Sequence, residues 1–297
     1  MSNSANDAVS YFTKKLIDCP VCQGEFRREE LRTGRGRLIA GKLSTELRRY
    51  YEPSQKYGEV NPLVYPVTVC PHCLFASMQS DFHEVPVDAA EKLDENRSAR
   101  LKQIKMVCKD LDYRAPRRLE EGLASYILAM ECYEYYPPVV SPIIKQAVCG
   151  LRAAWLSEDL HRKKPDENYD YLRLIMYRKA CFLYKRAIEL EQSGEQSIGG
   201  LKHLGPDLDK NYGYDGALYI MGLLEYRYGP TEDKAYRLQA LIYAKRTIAR
   251  IFGMGKASKN KPTAILDNAR DVYEQINKEI SHLEESVQDA AGQSGES

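Results

Sequence analysis

No apolar run in the sequence approaches the roughly 18 residues that a membrane-spanning helix needs. The opening stretch, MSNSANDAVSYFTKK, is too polar for a secretory signal. Charge of one sign is also missing: 43 Lys plus Arg stand against 42 Asp plus Glu, a net of +1, so the whole-chain charge makes no case for a nucleic-acid or anionic-membrane partner. No nucleophile is paired with a base, so no reaction can be read. These absences leave a cytoplasmic, non-enzymatic protein as the expectation. With 43% hydrophobic and 29% charged residues, neither general disorder nor a fibrous repeat fits. At 297 residues the chain is long for one core, which suggests two units.

Cysteine is the residue type whose placement carries chemistry. Of eight, Cys19, Cys22, Cys70 and Cys73 form two C-P-x-C pairs, whereas Cys108, Cys132, Cys149 and Cys181 are scattered singly in helix-like sequence. A secreted disulfide scaffold is short and cysteine-dense, so paired cysteines in a long chain point instead to metal or redox work. Each pair puts two thiolates one tight turn apart, and two such turns supply four soft ligands for one tetrahedral, structural zinc. A thioredoxin-like site would use one motif at the start of a helix in a βαβ unit, and nothing around Cys19 has that form. A catalytic zinc would keep an open fourth position, which four cysteines close. His72, between two ligands, is expected to fill the turn, and His83 to lie at the surface or at a boundary. The isolated cysteines are expected to be reduced and structural.

The pairs are too far apart for a minimal ribbon, so residues 26 to 69 read as an insert. Leu31-Arg32-Thr33 and Arg37-Leu38-Ile39 look like strand, and Pro53, Pro62 and Pro66 break any helix. After Phe82 the pattern turns helical, with Val85-Pro86 as a hinge. Helices are expected at about 87 to 112, 117 to 136, 142 to 162, 166 to 193, 215 to 228, 231 to 252 and 262 to 286. They are separated by Pro137-Pro138, Pro165, a Gly-rich stretch from 194 to 216, Gly229-Pro230 and Gly253-Met254-Gly255. Ala180, Tyr184, Ala187 and Leu190 have the spacing of a tetratricopeptide second helix, and Leu218, Met221 and Gly222 echo a first one, without a clean period of 34. Ile265, Ala269, Val272, Ile276, Ile280, Leu283 and Val287 form a stripe that should let the last helix cap the bundle. The fold class is therefore mainly α with a small β zinc module. The divisions are a tail at 1–14, a zinc-ribbon-like domain at 15–84, a tetratricopeptide-like helical bundle or short solenoid at 85–286, and a disordered tail at 287–297.

Two loop motifs fail on their key positions. Asp207 to Lys210 starts like a calcium loop, but Tyr212 stands where Gly is needed and Leu218 where Glu is needed. Gly255-Lys256 lacks both the first Gly and the magnesium-binding hydroxyl of a phosphate loop. Between Arg27 and Arg49, eight Lys or Arg face three Glu. This stretch, with Arg28, Arg35 and Arg37, offers phosphate contacts for an alternative nucleic-acid-binding function, or simply a solvated strand face.

The order C-P-x-C, basic insert, Tyr50-Tyr51, then Asn61-Pro62-Leu63-Val64-Tyr65-Pro66-Val67-Thr68-Val69-Cys70-Pro71-His72-Cys73, together with Arg152-Ala153-Ala154-Trp155-Leu156, resembles the bacterial domain-of-unknown-function 2225 family. Gly tends to follow the second Cys of each pair in that family, whereas Gln23 and Leu74 do here. The resemblance implies a zinc ribbon with tetratricopeptide-like helices in a cytoplasmic bacterial protein, and no activity. The expected function is a zinc-binding interaction or scaffold protein. Its concave helical surface, with Tyr171, Tyr177, Tyr219 and Tyr226 as contacts, would meet a protein or peptide partner.

Overall fold

A computed structural model describes residues 8–198, 212–252 and 263–293, the last seven of these as backbone only. The stretch from 199 to 211 and Gly253-Met254-Gly255 lie outside the described residues, as does the start of the rejected calcium loop.

The N-terminal part is built from four antiparallel ladders. β1 (Ser10–Phe12) pairs with β4 (Glu29–Leu31) and encloses the hairpin of β2 (Ile17–Asp18) and β3 (Glu25–Phe26). β5 (Ile39–Leu43) pairs with β6 (Arg49–Glu52), and β7 (Val67–Val69) with β8 (Ala76–Met78). The strands are short because Gly and Pro interrupt the sequence repeatedly between Pro20 and Pro71.

The expected helices follow, one of them in two pieces. α1 (Val87–Glu95) and α2 (Arg97–Val107) replace the single helix foreseen for 87 to 112. The break is at Asn96, whose side chain donates back to the Lys92 carbonyl at 2.9 Å and so competes with the helical ladder. α3 (Leu119–Tyr133), α4 (Pro142–Lys163), α5 (Tyr169–Ser193), α6 (Gly213–Tyr228) and α7 (Lys234–Ala249) fall within a few residues of expectation. Pro142 starts α4, Gly194 at φ +77° ends α5, and Asp233 caps α7 by accepting from the Ala235 and Tyr236 amides. α8 (Thr263–Gln293) continues through much of the stretch expected to be a disordered tail, so that expectation is corrected: 287–293 are helical. The small polar residues there include good helix formers, and Ala290-Ala291 extends the helix where an apolar anchor is lacking.

Each helix from α3 to α8 packs on the next, and α8 also reaches α6. Small residues set the close crossings. A Cβ on Gly150 of α4 would lie 3.4 Å from the Ala180 Cβ of α5, and one on Gly222 of α6 would collide with Ile248 of α7 at 2.4 Å. Ala187 is buried in the same helix as Ala180. Ala187→Leu is accordingly expected to overpack its seam and destabilise by roughly 1 to 3 kcal/mol, visible as a lower melting temperature at unchanged metal content. On α8, Ile265, Ala269, Val272, Ile276 and Ile280 of the stripe are buried and Leu283 is half-buried, while the Val287 side chain lies outside the described residues.

Residue 84 does separate strand from helix, yet one hydrophobic core runs across it, from Cys19 to Ile280. Tyr126 of α3 donates to the Leu63 carbonyl (2.7 Å), Tyr133 to Asp81 (2.6 Å) and Tyr136 to the Asp81 carbonyl (3.0 Å). Lys145 of α4 completes the buried pair with Asp81 at 2.7 Å. Burying these charges is tolerable because each has a partner.

Candidate metal centre

Both C-P-x-C motifs sit at the tips of hairpins. Cys19 to Gln23 joins β2 to β3: the Cys19 amide donates to the Gly24 carbonyl (3.1 Å) and the Gln23 amide to the Cys19 carbonyl (2.9 Å). Cys70 to Leu74 joins β7 to β8 with the matching pair, Cys70 to Phe75 and Leu74 to Cys70, both 2.9 Å. The two tips have the same fold, and each needs one left-handed residue to close. That residue is Gln23 at φ +59° and Leu74 at φ +58°. These are the two positions where the related pattern tends to have Gly, so the departure places backbone strain in each turn. Gln23 is exposed, and its side chain makes one exposed hydrogen bond, to the Pro20 carbonyl at 3.3 Å. Gln23→Gly is therefore expected to stabilise the protein by roughly 0.5 to 1 kcal/mol in a denaturant titration, the relief of strain exceeding the entropy that Gly adds to the unfolded chain.

The two tips bring the four sulfurs together. All lie within 4.8 Å of one another, with Cys19 Sγ 3.6 Å from Cys73 Sγ and Cys22 Sγ 3.7 Å from Cys70 Sγ. Four sulfurs at the zinc–thiolate bond length would be about 3.8 Å apart on a tetrahedron. The set can hold a metal ion, and its soft donors fit zinc. The crowded sulfurs share protons: hydrogen bonds from Cys19 and then Cys73 hold the Cys70 thiol well below the usual range, while the Cys70 interaction pushes Cys19 up. The His72 amide also donates to Cys70 Sγ at 3.4 Å, which favours the thiolate.

His72 is no ligand in this arrangement. Its ring crosses to the other tip, where Nε2 lies 3.1 Å from the Glu25 carbonyl and Nδ1 lies 3.4 Å from Arg114 Nη2. A Cβ on Gly24 would come within 2.8 Å of that ring, so Gly24 is what lets the two tips close on each other. Two arginines brace the second tip from behind. Arg97 donates to the His72 carbonyl at 2.5 Å. Arg100, wholly buried, donates to the Cys73 carbonyl through Nε (3.3 Å) and Nη2 (2.8 Å) and to the Leu93 carbonyl through Nη1 (2.9 Å). All of Arg100's hydrogen-bond acceptors are neutral carbonyls. Sequence reasoning missed Arg100 because an arginine in a charged helix reads as solvated.

Residues 12–276 match the family described as an uncharacterized protein conserved in bacteria, DUF2225. The chain belongs to the DUF2225 family. An uncharacterized protein of Borreliella burgdorferi is 45% identical to it over 275 residues, which cover 93% of this chain and 99% of that relative. No solved structure matches it.

In this DUF2225 chain the other four cysteines, Cys108, Cys132, Cys149 and Cys181, are free and buried. Burial pushes the thiols of Cys108, Cys132 and Cys149 up to about 12, which keeps them protonated and unreactive. No described helix is long and apolar enough to cross a membrane. The three arginines of the basic insert do not make one face. Arg28 pairs with Glu30, Arg37 is buried with its guanidinium on the Ala8 carbonyl and over the Tyr57 ring, and of the three only Arg35 is exposed.

The four tyrosines expected to line a concave surface separate in the same way. Tyr177 and Tyr219 are buried, Tyr226 is half-buried, and Tyr171 alone is exposed. The expectation that Tyr177 and Tyr219 face an open groove is corrected, because the tip of the β5–β6 hairpin fills it. Glu46 Oε2 accepts from Trp155 Nε1 (2.5 Å) and the Tyr177 hydroxyl (2.8 Å), and Oε1 accepts from Arg227 (3.1 Å) and Tyr228 (3.4 Å). Tyr219 donates to the Thr45 carbonyl (2.6 Å), Leu47 at φ +60° is wholly buried, and Arg48 pairs with Asp159 at 2.5 Å. Tyr177 stacks on Tyr228 with ring centroids 4.0 Å apart.

Proposed function

We propose that the protein is a non-enzymatic, zinc-stapled interaction protein. One zinc ion would be held by Cys19, Cys22, Cys70 and Cys73. The observation that carries this is the four-sulfur cluster, whose spacing suits a tetrahedral zinc and leaves no position for a substrate or an activated water. A zinc with four thiolates has a net charge of −2, and the buried guanidinium of Arg100 behind Cys73 is well placed to offset it. Metal analysis is expected to give about one zinc per chain, and Cys70→Ser with Cys73→Ser to abolish it. Retained stoichiometry in that variant would overturn the assignment. Arg100→Met should keep the ligands but weaken zinc retention against a competing chelator by roughly 10- to 100-fold, the usual scale for groups that support metal ligands.

The surface for a partner is the outer face of α5, since the inner tyrosines are occupied by the chain's own hairpin. Tyr171, Leu174, Ile175 and Phe182 recur at helical spacing there and stay exposed, and Tyr236 of α7 adds to them. This reading concerns a protein partner in a soluble compartment. Affinity capture from a native bacterial lysate with and without nuclease tests it: partners that survive nuclease support it, and loss of all partners with nuclease would favour the nucleic-acid alternative.

A further inference from the structure

Between α5 and the turn from α6 to α7 lies a cleft of about 400 Å³, within the range of ligand sites. At its base is Glu225, only 7% exposed. Its Oε2 accepts from Cys181 Sγ at 3.4 Å, whereas the buried Oε1 has no hydrogen-bond donor among the described residues. A buried carboxylate oxygen without a donor is rare in a finished fold and calls for a group to complete it. Gly229 lies against this oxygen, and a Cβ there would come within 2.2 Å of it, so any side chain at 229 would crowd the carboxylate. The walls are apolar and aromatic: Phe182 (68% exposed), Tyr236 (52% exposed), Tyr228 and Pro230. On the α5 side Arg186 is paired with Glu189 at 3.4 Å, which leaves Arg178 and Lys185 as the bases not matched by an acid of the lining.

We propose that this cleft binds the basic side chain of an extended peptide: an Arg or Lys whose head group pairs with the Glu225 carboxylate at the base, whose methylenes lie along Phe182 and Tyr236, and whose acidic neighbour meets Arg178 or Lys185. The chemistry follows from the lining. A deep acceptor selects a cationic donor, aromatic faces suit both its charge and its apolar stem, and the two bases select a ligand that also carries negative charge. A bare metal cation or a simple diamine would be repelled by that pair. The peptide length comes from the continuing apolar stripe. Phe182 lies eleven residues beyond Tyr171 on the same helix face, a rise of about 16 Å, which about five extended residues span. Leu174 and Ile175, exposed between them, would take the apolar residues of such a segment.

The proposal deepens the interaction reading by naming the partner's chemistry, and rests on that reading for a peptide source. Calorimetric titration into the full zinc-loaded chain tests it with a five-residue peptide carrying aspartate, arginine and leucines, the same peptide with citrulline for arginine, and agmatine. The arginine peptide is expected to bind at least tenfold more tightly than either of the others. Glu225→Gln and Phe182→Ala should each reduce its affinity at least tenfold, with melting temperature and zinc content measured on both. Phe182 is exposed, so its variant keeps the test valid if Glu225→Gln fails to fold. Absence of binding at 10 mM peptide, equal binding of the citrulline peptide, or unchanged affinity in Phe182→Ala overturns the site. Agmatine binding as tightly as the peptide overturns the peptide occupant. Nuclease-resistant partners in the capture experiment combined with failure here would discard this site and keep the interaction reading.

Discussion

Chelation of the proposed zinc from the intact protein is expected to lower its melting temperature by roughly 10 to 20 °C in a single transition. A structural zinc is worth about 10 to 16 kcal/mol in small zinc-dependent peptides. Even half of that is a large part of the 5 to 15 kcal/mol that holds a typical domain together. The loss should not stay local. The second cysteine tip is continuous with β8, whose Ala76 and Met78 amides donate to Cys132 Sγ (3.4 Å) and the Tyr133 hydroxyl (3.0 Å) of α3. Cys19, Cys70 and Cys73 themselves belong to the core that extends to α8. Circular dichroism at a helical wavelength, with and without chelator, measures the effect. A helical melt that ignores the chelator would mean that the tips and helices are independent, against the continuous core.

Glu46→Ala is the other large effect, expected at about 3 to 5 kcal/mol. The carboxylate accepts four hydrogen bonds, and its removal leaves the buried Trp155 indole N–H and Tyr177 hydroxyl without acceptors and Arg227 without its ion pair. Burial, and then the neighbouring Glu46 charge, push the Tyr177 hydroxyl well above its usual range, so it stays a donor at any ordinary pH. Glu46→Gln keeps an oxygen acceptor and should cost clearly less. Chemical denaturation of both variants gives the comparison, and an alanine cost below 1 kcal/mol would show that the hairpin tip is only loosely seated.

How much of this was legible beforehand depended on whether the signal was local. The cysteine tips were readable because a C-P-x-C turn carries both its ligands and its geometry within four residues. Helix ends were readable at Pro142 and Gly194 for the same reason, since each acts on its own backbone. Glu46 and Arg100 were not readable. A lone acid in a basic insert and an arginine in a charged helix each look solvated until the fold brings partners from far along the chain. The tyrosines failed differently. Periodicity correctly put Tyr177 on a packed helix, but it cannot say whether the covering surface is solvent, a partner or another part of the same chain. At the C terminus, composition suggested disorder where Ala290-Ala291 continue a helix already begun.

The seating of Thr45 and Glu46 against Arg227 also bears on how the chain is made. A ribosome adds about 5 to 20 residues per second, and Glu46 precedes Arg227 by 181 residues. The hairpin tip therefore emerges roughly ten to forty seconds before its last partner exists. During that wait Glu46 gains Trp155 and Tyr177 in turn but lacks its cationic partner. Completion of the docked tip must then be a late step that joins segments 181 residues apart, and long-range closures of this kind are slow. A truncation that removes α6 would take away Tyr219, Arg227 and Tyr228 and leave the tip held by Trp155, Asp159 and Tyr177 alone.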